Sequence, residues 1–291
     1  MTARHATRST PNEREKLPLL SNALTRILSR RRGRLARVLA GVVAVLAATT
    51  LAGCGSARAD VPAPGPMVGT RLAASLPASV LHVPLVSTAG RTVRLADFTG
   101  KVVVVSDVMT LCQETCPLDT ANVVAAARDV EKAGLGDKVE FVSITVDPGR
   151  DTPARLAAYR QLYAPAPADW LTLTGDPATL AALWHVLGVY IQKVPDTPPA
   201  PTDWLTGQPL TYDITHSDEL FFLGPRQKEQ FLLDGAPQIA AGAPIPETIR
   251  KFMDAQGRAN VAHPDPEAWT LRQELQVISW LIDHRISSTR R

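Results

Sequence analysis

Two cysteines four positions apart, Cys112 and Cys116, are the residues of this chain best suited to chemistry. A disulfide between them would close a very small loop, and loop-closure arguments give little stabilisation for that. Redox exchange or metal ligation is the better use of the pair, and the two compete, because oxidation consumes the thiolates that a metal needs. On a helix, positions i and i+4 share a face one turn apart, so both sulfurs could reach one ion. Two thiolates and an imidazole form a soft set that suits Cu(I), and with further ligands could hold Zn(II) or Cu(II).

The stretch around the pair reads as a buried strand feeding a helix. Residues 102–105 are four valines, and Ser106, Asp107, Val108, Met109, Thr110 and Leu111 lead into the cysteines. Such a run suits a strand covered on both faces. Pro117 is tolerated in the first turn of a helix, and residues 121–133 continue with Ala and Val at helical spacing before Gly134. The start of a helix presents free N–H groups and the positive end of the dipole, which favour an anion such as a thiolate.

Other elements fall into an alternating order. The pattern predicts a hairpin with arms at 81–86 and 92–95, a second buried strand at 139–146, and a helix from Pro153 capped by Asp151 or Thr152. A short strand at 170–173 and a helix from Pro177 to Leu187 follow. Four prolines (Pro195, Pro198, Pro199, Pro201) mark 194–207 as a long surface loop. A late hairpin over 220–233 turns at Gly224 and Pro225, and helices are expected near 244–253 and 269–282. Leu271, Leu275, Ile278 and Leu281 give the last one an apolar stripe for core packing or docking. This is an α/β chain of thioredoxin-like order: a central mixed sheet flanked by helices, an N-terminal hairpin and a C-terminal helical extension.

The ends of the chain differ in charge. Residues 1–53 carry ten Lys or Arg against Glu13 and Glu15, leaving a net charge of −5 on the remainder of this 291-residue chain. Nothing after residue 53 is a basic patch suited to nucleic acid. Arg30, Arg31, Arg32, Arg34 and Arg37 precede an uncharged apolar run to Leu51, followed by Ala52, Gly53 and Cys54. That is the layout of a secretory signal, too short for a bilayer span. Leu51-Ala52-Gly53-Cys54 also resembles a bacterial lipobox, which implies cleavage before Cys54 and its lipidation. The expected organisation is a leader and lipoprotein signal at 1–53, a Pro- and Gly-rich flexible tether at 54–75, a folded domain at 76–235 and an extension at 236–291. The folded part would then stand on the extracytoplasmic face of the cell membrane.

From about Leu81 to Leu233 the chain resembles the SCO/SenC family of thioredoxin-like copper proteins. The residues that carry the resemblance are Gly100 and Lys101, Thr110, Cys112 to Pro117, Val146-Asp147-Pro148, Arg150-Asp151-Thr152-Pro153, Leu173-Thr174-Gly175, and His216-Ser217. The resemblance implies copper bound by Cys112, Cys116 and His216, and a role in assembling the copper site of cytochrome c oxidase. Its partner would be the copper-bearing subunit of that oxidase, or another copper or thiol partner. The chain departs from the family pattern at Val108 and Met109, where an aromatic usually precedes the first Cys. It departs again at Gln113, usually Pro, and at Thr215, usually Asp. A metal-bound His needs a partner for its second nitrogen, and Asp213 is the candidate in the sequence.

Two rival activities use the same thiols. A thiol–disulfide oxidoreductase acting on a partner's cysteines would need the redox pair Cys112 and Cys116 but not His216. A peroxidase-like enzyme would need one strongly acidified Cys. His82 and His185 have no Cys or second His at ligand spacing, and His5, His263 and His284 lie outside the resemblance. Met109 reads as a core gap-filler.

Overall fold

At the centre of the fold the valine run becomes β4 (Val102–Val108), buried along its whole length. It pairs in parallel with β5 (Val139–Thr145), from Val102↔Val139 to Val108↔Thr145, and antiparallel with β9 (Glu219–Leu223). The computed structural model describes residues 61–196, 199–239 and 243–288, so the leader and Cys54 lie outside the described residues. With β1 (Thr70–Ser75), β2 (Leu85–Ser87), β3 (Thr92–Val93), β6 (Trp170–Thr174) and β10 (Lys228–Asp234), these strands form one mixed sheet in the order β1-β10-β9-β4-β5-β6-β2-β3. The inner order β10-β9-β4-β5, a parallel pair next to an antiparallel hairpin, is thioredoxin-like.

Both faces of the sheet are covered, which is why β4 is apolar at nearly every position rather than alternating. Val104 and Val108 point to a core built with α2 (Cys116–Lys132), α3 (Pro153–Leu162) and the C-terminal α7 (Leu271–Leu281). Val103 and Val105 point the other way, to a core shared with α4 (Pro177–Leu187) and with Val80 of the one-turn α1 (Ala78–Leu81). The helices start where local chemistry dictates. Thr152 accepts from Arg155 N at 3.3 Å and Asp176 from Thr179 N at 3.0 Å, each followed by a proline in the first turn. Thr270 and Gln273 form a reciprocal capping box on α7.

Several expectations are corrected. The first hairpin is shorter than predicted: Leu81 ends α1, the exposed His82 follows it, and Leu95 opens a 3-10 turn (Leu95–Phe98). Thr70–Ser75 is not tether but an edge strand on β10. Its side chains are almost all exposed, so it has no hydrophobic period to read; backbone pairing alone defines it. Gly69, just before β1, runs close against β10, since a Cβ there would overlap the carbonyl oxygen of Leu232.

The proline-rich segment is also more than surface loop. Its start joins β7 (Ile191–Pro195), which pairs with β8 (Tyr212–His216) in a separate two-stranded ladder. Further on, Asp203 accepts from both terminal nitrogens of Arg155 at 3.0 and 2.5 Å, and Trp204 Nε1 donates to the Thr110 carbonyl at 2.7 Å. Asp151 is not the α3 cap. It is fully buried, accepts from Thr110 Oγ1 at 2.5 Å and Thr145 Oγ1 at 2.6 Å, and so ties together the ends of β4 and β5. Burial raises its pKa to about 6, against the pull of those hydrogen bonds.

The extension beyond residue 236 caps the core. It contains α5 (Glu247–Phe252), α6 (Ala255–Ala262) and α7, and Ile249, Met253, Leu271, Leu275 and Ile278 are buried against the α2 side of the sheet.

Candidate metal centre

β4 ends at Val108, and a turn carrying Cys112 delivers the chain to Cys116, the first residue of α2. The cysteines therefore do not share a helix face, as the i, i+4 reading expected. Cys112 lies in the turn, and the Cys116 N–H donates to its sulfur at 3.4 Å. This is the helix-start environment suited to a thiolate. Hydrogen bonding from Cys116, outweighing burial and joined by His216, holds the Cys112 pKa well below the usual thiol range. Burial first, then the Cys112 thiolate, push Cys116 well above it. The two thiols are thus shifted in opposite directions.

His216 arrives from the opposite direction, at the end of β8, paired across the ladder with Ile191. Its Nε2 lies 3.3 Å from Cys116 Sγ, and one donor atom from each of Cys112, Cys116 and His216 lies within 4.8 Å of the others. The other ring nitrogen, Nδ1, faces Asp107 Oδ2 at 3.1 Å and the Ser217 carbonyl at 2.9 Å. Two acceptors on Nδ1 require it to carry a proton, which leaves Nε2 directed at the sulfurs. Burial opposes a charged imidazole, but the Asp107 hydrogen bond and the Cys112 thiolate raise the His216 pKa well above its ordinary value.

The partner of the histidine is thus Asp107, not the Asp213 expected from the sequence. Asp213 turns back on its own strand and accepts from Ile214 N at 2.8 Å. Asp107 is held in place by Glu219 N, which donates to its Oδ1 at 3.1 Å. A signal for it existed: a carboxylate inside a buried valine strand is unusual unless paired. Asp218 stands nearby, 3.8 Å from Nδ1, accepting from Thr115 Oγ1 at 3.0 Å, and burial lifts its pKa to about 7.

A pocket of about 190 Å³ opens onto this group, lined by Met109, Cys112, Glu114, Asp213, His216 and Asp254 among others. A larger groove of about 610 Å³ between α4 and the start of β7 is mainly apolar and offers only His185 as a ligand-type side chain. The smaller pocket is the one beside the thiols and the imidazole. Met109 is 2% exposed with its sulfur 3.8 Å from Arg150 Nη2, in keeping with a packing role. His82, His185, His263 and His284 are exposed and away from the pair. Two thiols and an oriented imidazole converging beside this pocket form a soft donor set that fits a thiophilic metal ion.

The fold and this site define a thioredoxin-like protein with a dithiol–histidine centre. The family described as SCO1/SenC matches residues 80–253, and the chain belongs to it. Among curated relatives, the mitochondrial SCO2 homologue of Bos taurus is 28% identical over 166 residues, covering 57% of this chain and 56% of that one. Protein SenC of Rhodobacter capsulatus is 29% identical over 172 residues, covering 59% and 69%. The chain spans little more than half the length of most of the curated relatives it matches. Among solved structures, ScoI of Bradyrhizobium japonicum with copper bound has 22% identity and a TM-score of 0.43, covering 59% of this chain and 97% of that one.

Proposed function

We propose that this chain is a copper chaperone that binds copper through Cys112, Cys116 and His216 and passes it to the copper-bearing subunit of cytochrome c oxidase. The observation that carries the reading is the convergence of the three donor atoms within 4.8 Å, with the Nδ1 side of the histidine already engaged by Asp107. Membership of SCO1/SenC supports the oxidase as destination. We propose further that Cys54 is lipidated and tethers the domain to the extracytoplasmic face of the cell membrane. Among the described residues no helix is long and apolar enough to cross a membrane.

Copper is the cargo. Cys112 is held as a thiolate, while Cys116 and the Nε2 of His216 give up protons as the ion is taken, so loading releases protons to solvent. Asp107 keeps the ring from turning away during that exchange. The native domain should bind one Cu(I) per chain in a titration under reducing conditions, and His216→Ala should bind it much more weakly. Equal binding by the two proteins would sink the reading. Asp107→Asn, which keeps an oxygen for Glu219 N but loses the charge facing Nδ1, is expected to weaken Cu(I) binding roughly tenfold. Competition against a chromophoric chelator measures that change.

The asymmetry of the two thiols favours one alternative, a thiol–disulfide oxidoreductase. In that case the Cys112 thiolate attacks a partner disulfide and a partner thiolate leaves. Cys116 then displaces the second partner sulfur, and an external thiol reductant restores the pair. Restoration of oxidase assembly by a His216→Ala protein that carries no copper would select this route.

A further inference from the structure

Besides its own Cys116 N–H to Cys112 sulfur bond and the Thr115 to Asp218 bond, the 112–116 loop is held from the C-terminal extension. Between the two cysteines, Gln113 donates its side-chain N–H to the Phe252 carbonyl at 2.6 Å. The carbonyl of Gln113 in turn accepts from Asp254 N at 3.4 Å. Gly257 lies directly against that carbonyl, where any Cβ would overlap the Gln113 oxygen and crowd Glu114 Cα. Phe252 also packs on Leu111, the residue before Cys112, together with Leu210. The contacts come from the end of α5, the Asp254 cap and the first turn of α6, so a side chain, two backbone groups and an apolar patch all converge on one short loop.

A glycine in the first turns of a helix is a poor choice by propensity alone. Close backbone approach is the reason to keep one there. Asp254 Oδ1 accepts from Gly257 N at 2.7 Å, which fixes the first turn of α6 against the loop. Asp254 and Gly257 lie beyond residue 253, where the family match ends.

We propose that residues 252–257 are a latch belonging to the metal centre, holding the 112–116 loop through Gln113 so that both sulfurs face His216. The inference rests on the copper-binding reading of that centre. Gln113 and Gly257 are positioning residues: neither side supplies a ligand, but together they order the loop before an ion arrives, so the ordering entropy is not paid during binding.

The test compares the native domain with Gln113→Ala, which removes only the side-chain hydrogen bond, and Gly257→Val, which forces loop and helix apart. Amide hydrogen exchange at residues 113–116 is measured without metal, and Cu(I) affinity by chelator competition. Both variants should exchange at least about tenfold faster in the loop, with unchanged protection in β4 and β5, and should bind Cu(I) roughly tenfold more weakly. Native-like loop exchange in Gln113→Ala overturns the latch, as does faster exchange with unaltered affinity. Faster loop exchange in a series whose native member binds no Cu(I) leaves the latch standing as a holder of the dithiol and overturns the copper reading instead.

Discussion

Cys116→Ala will bind Cu(I) at least about 100-fold more weakly than the native domain. A structural Zn(II) site with four ligands gains roughly 10–16 kcal/mol, or about 3 kcal/mol for each donor, and a lost thiolate here should cost a similar amount. Cys116 also acts on its neighbour before an ion arrives, since its hydrogen bond is the largest influence lowering the Cys112 pKa. Alanine retains the backbone N–H that donates to Cys112 and the start of α2, so folding should survive. Chelator competition, with a melting curve for each protein, separates ligand loss from unfolding. An affinity within a few-fold of native would remove Cys116 from the site.

Glu274→Gln will make the protein more stable at alkaline pH while leaving it unchanged near pH 4. Glu274 stands on the buried stripe of α7 with Leu271, Leu275 and Ile278, is 0% exposed, and finds no hydrogen-bond partner among the described residues for either carboxylate oxygen. Burial raises its pKa to about 8. In the unfolded chain the group titrates near 4.3, so folding favours the protonated form. The stability this group retains is therefore fully present below about pH 4, is lost as pH rises, and levels off above about pH 8. The full penalty approaches about 5 kcal/mol at 1.36 kcal/mol per pH unit. Glutamine matches the protonated acid in shape and cannot ionise, so urea unfolding should give coincident curves at pH 4 and widely separated ones at pH 9. Parallel pH profiles for the two proteins would show that the carboxylate finds a partner in solution.

What could be read in the sequence was local. The valine run of β4, the proline and alanine start of α2, the Thr152 and Asp176 caps and the turn at Gly224 depend on neighbours within a few residues, and each element lies close to its expected place. The Cys112 and Cys116 spacing marked the reactive loop for the same reason. Glu274 was passed over, although its place three residues after Leu271 sets an acid on the apolar stripe.

The rest depended on residues far apart. Cys116 and His216 meet across 100 positions, and Gln113 meets Phe252 across 139. No spacing rule reaches that far, so the family resemblance pointed to His216, but Asp213 stood in for a carboxylate that the sheet supplies from β4. Pairing of β9 with β4 brings Asp107 to the Nδ1 of His216, with Glu219 N donating to the same carboxylate at the edge of that ladder. β1 escaped notice because backbone hydrogen bonds, which carry no side-chain signature, define it. By itself the sequence determined which atoms could react and the elements that carry them. Only the tertiary structure decided which nitrogen of His216 faces the sulfurs and what holds the loop between them, since both follow from packing between distant segments.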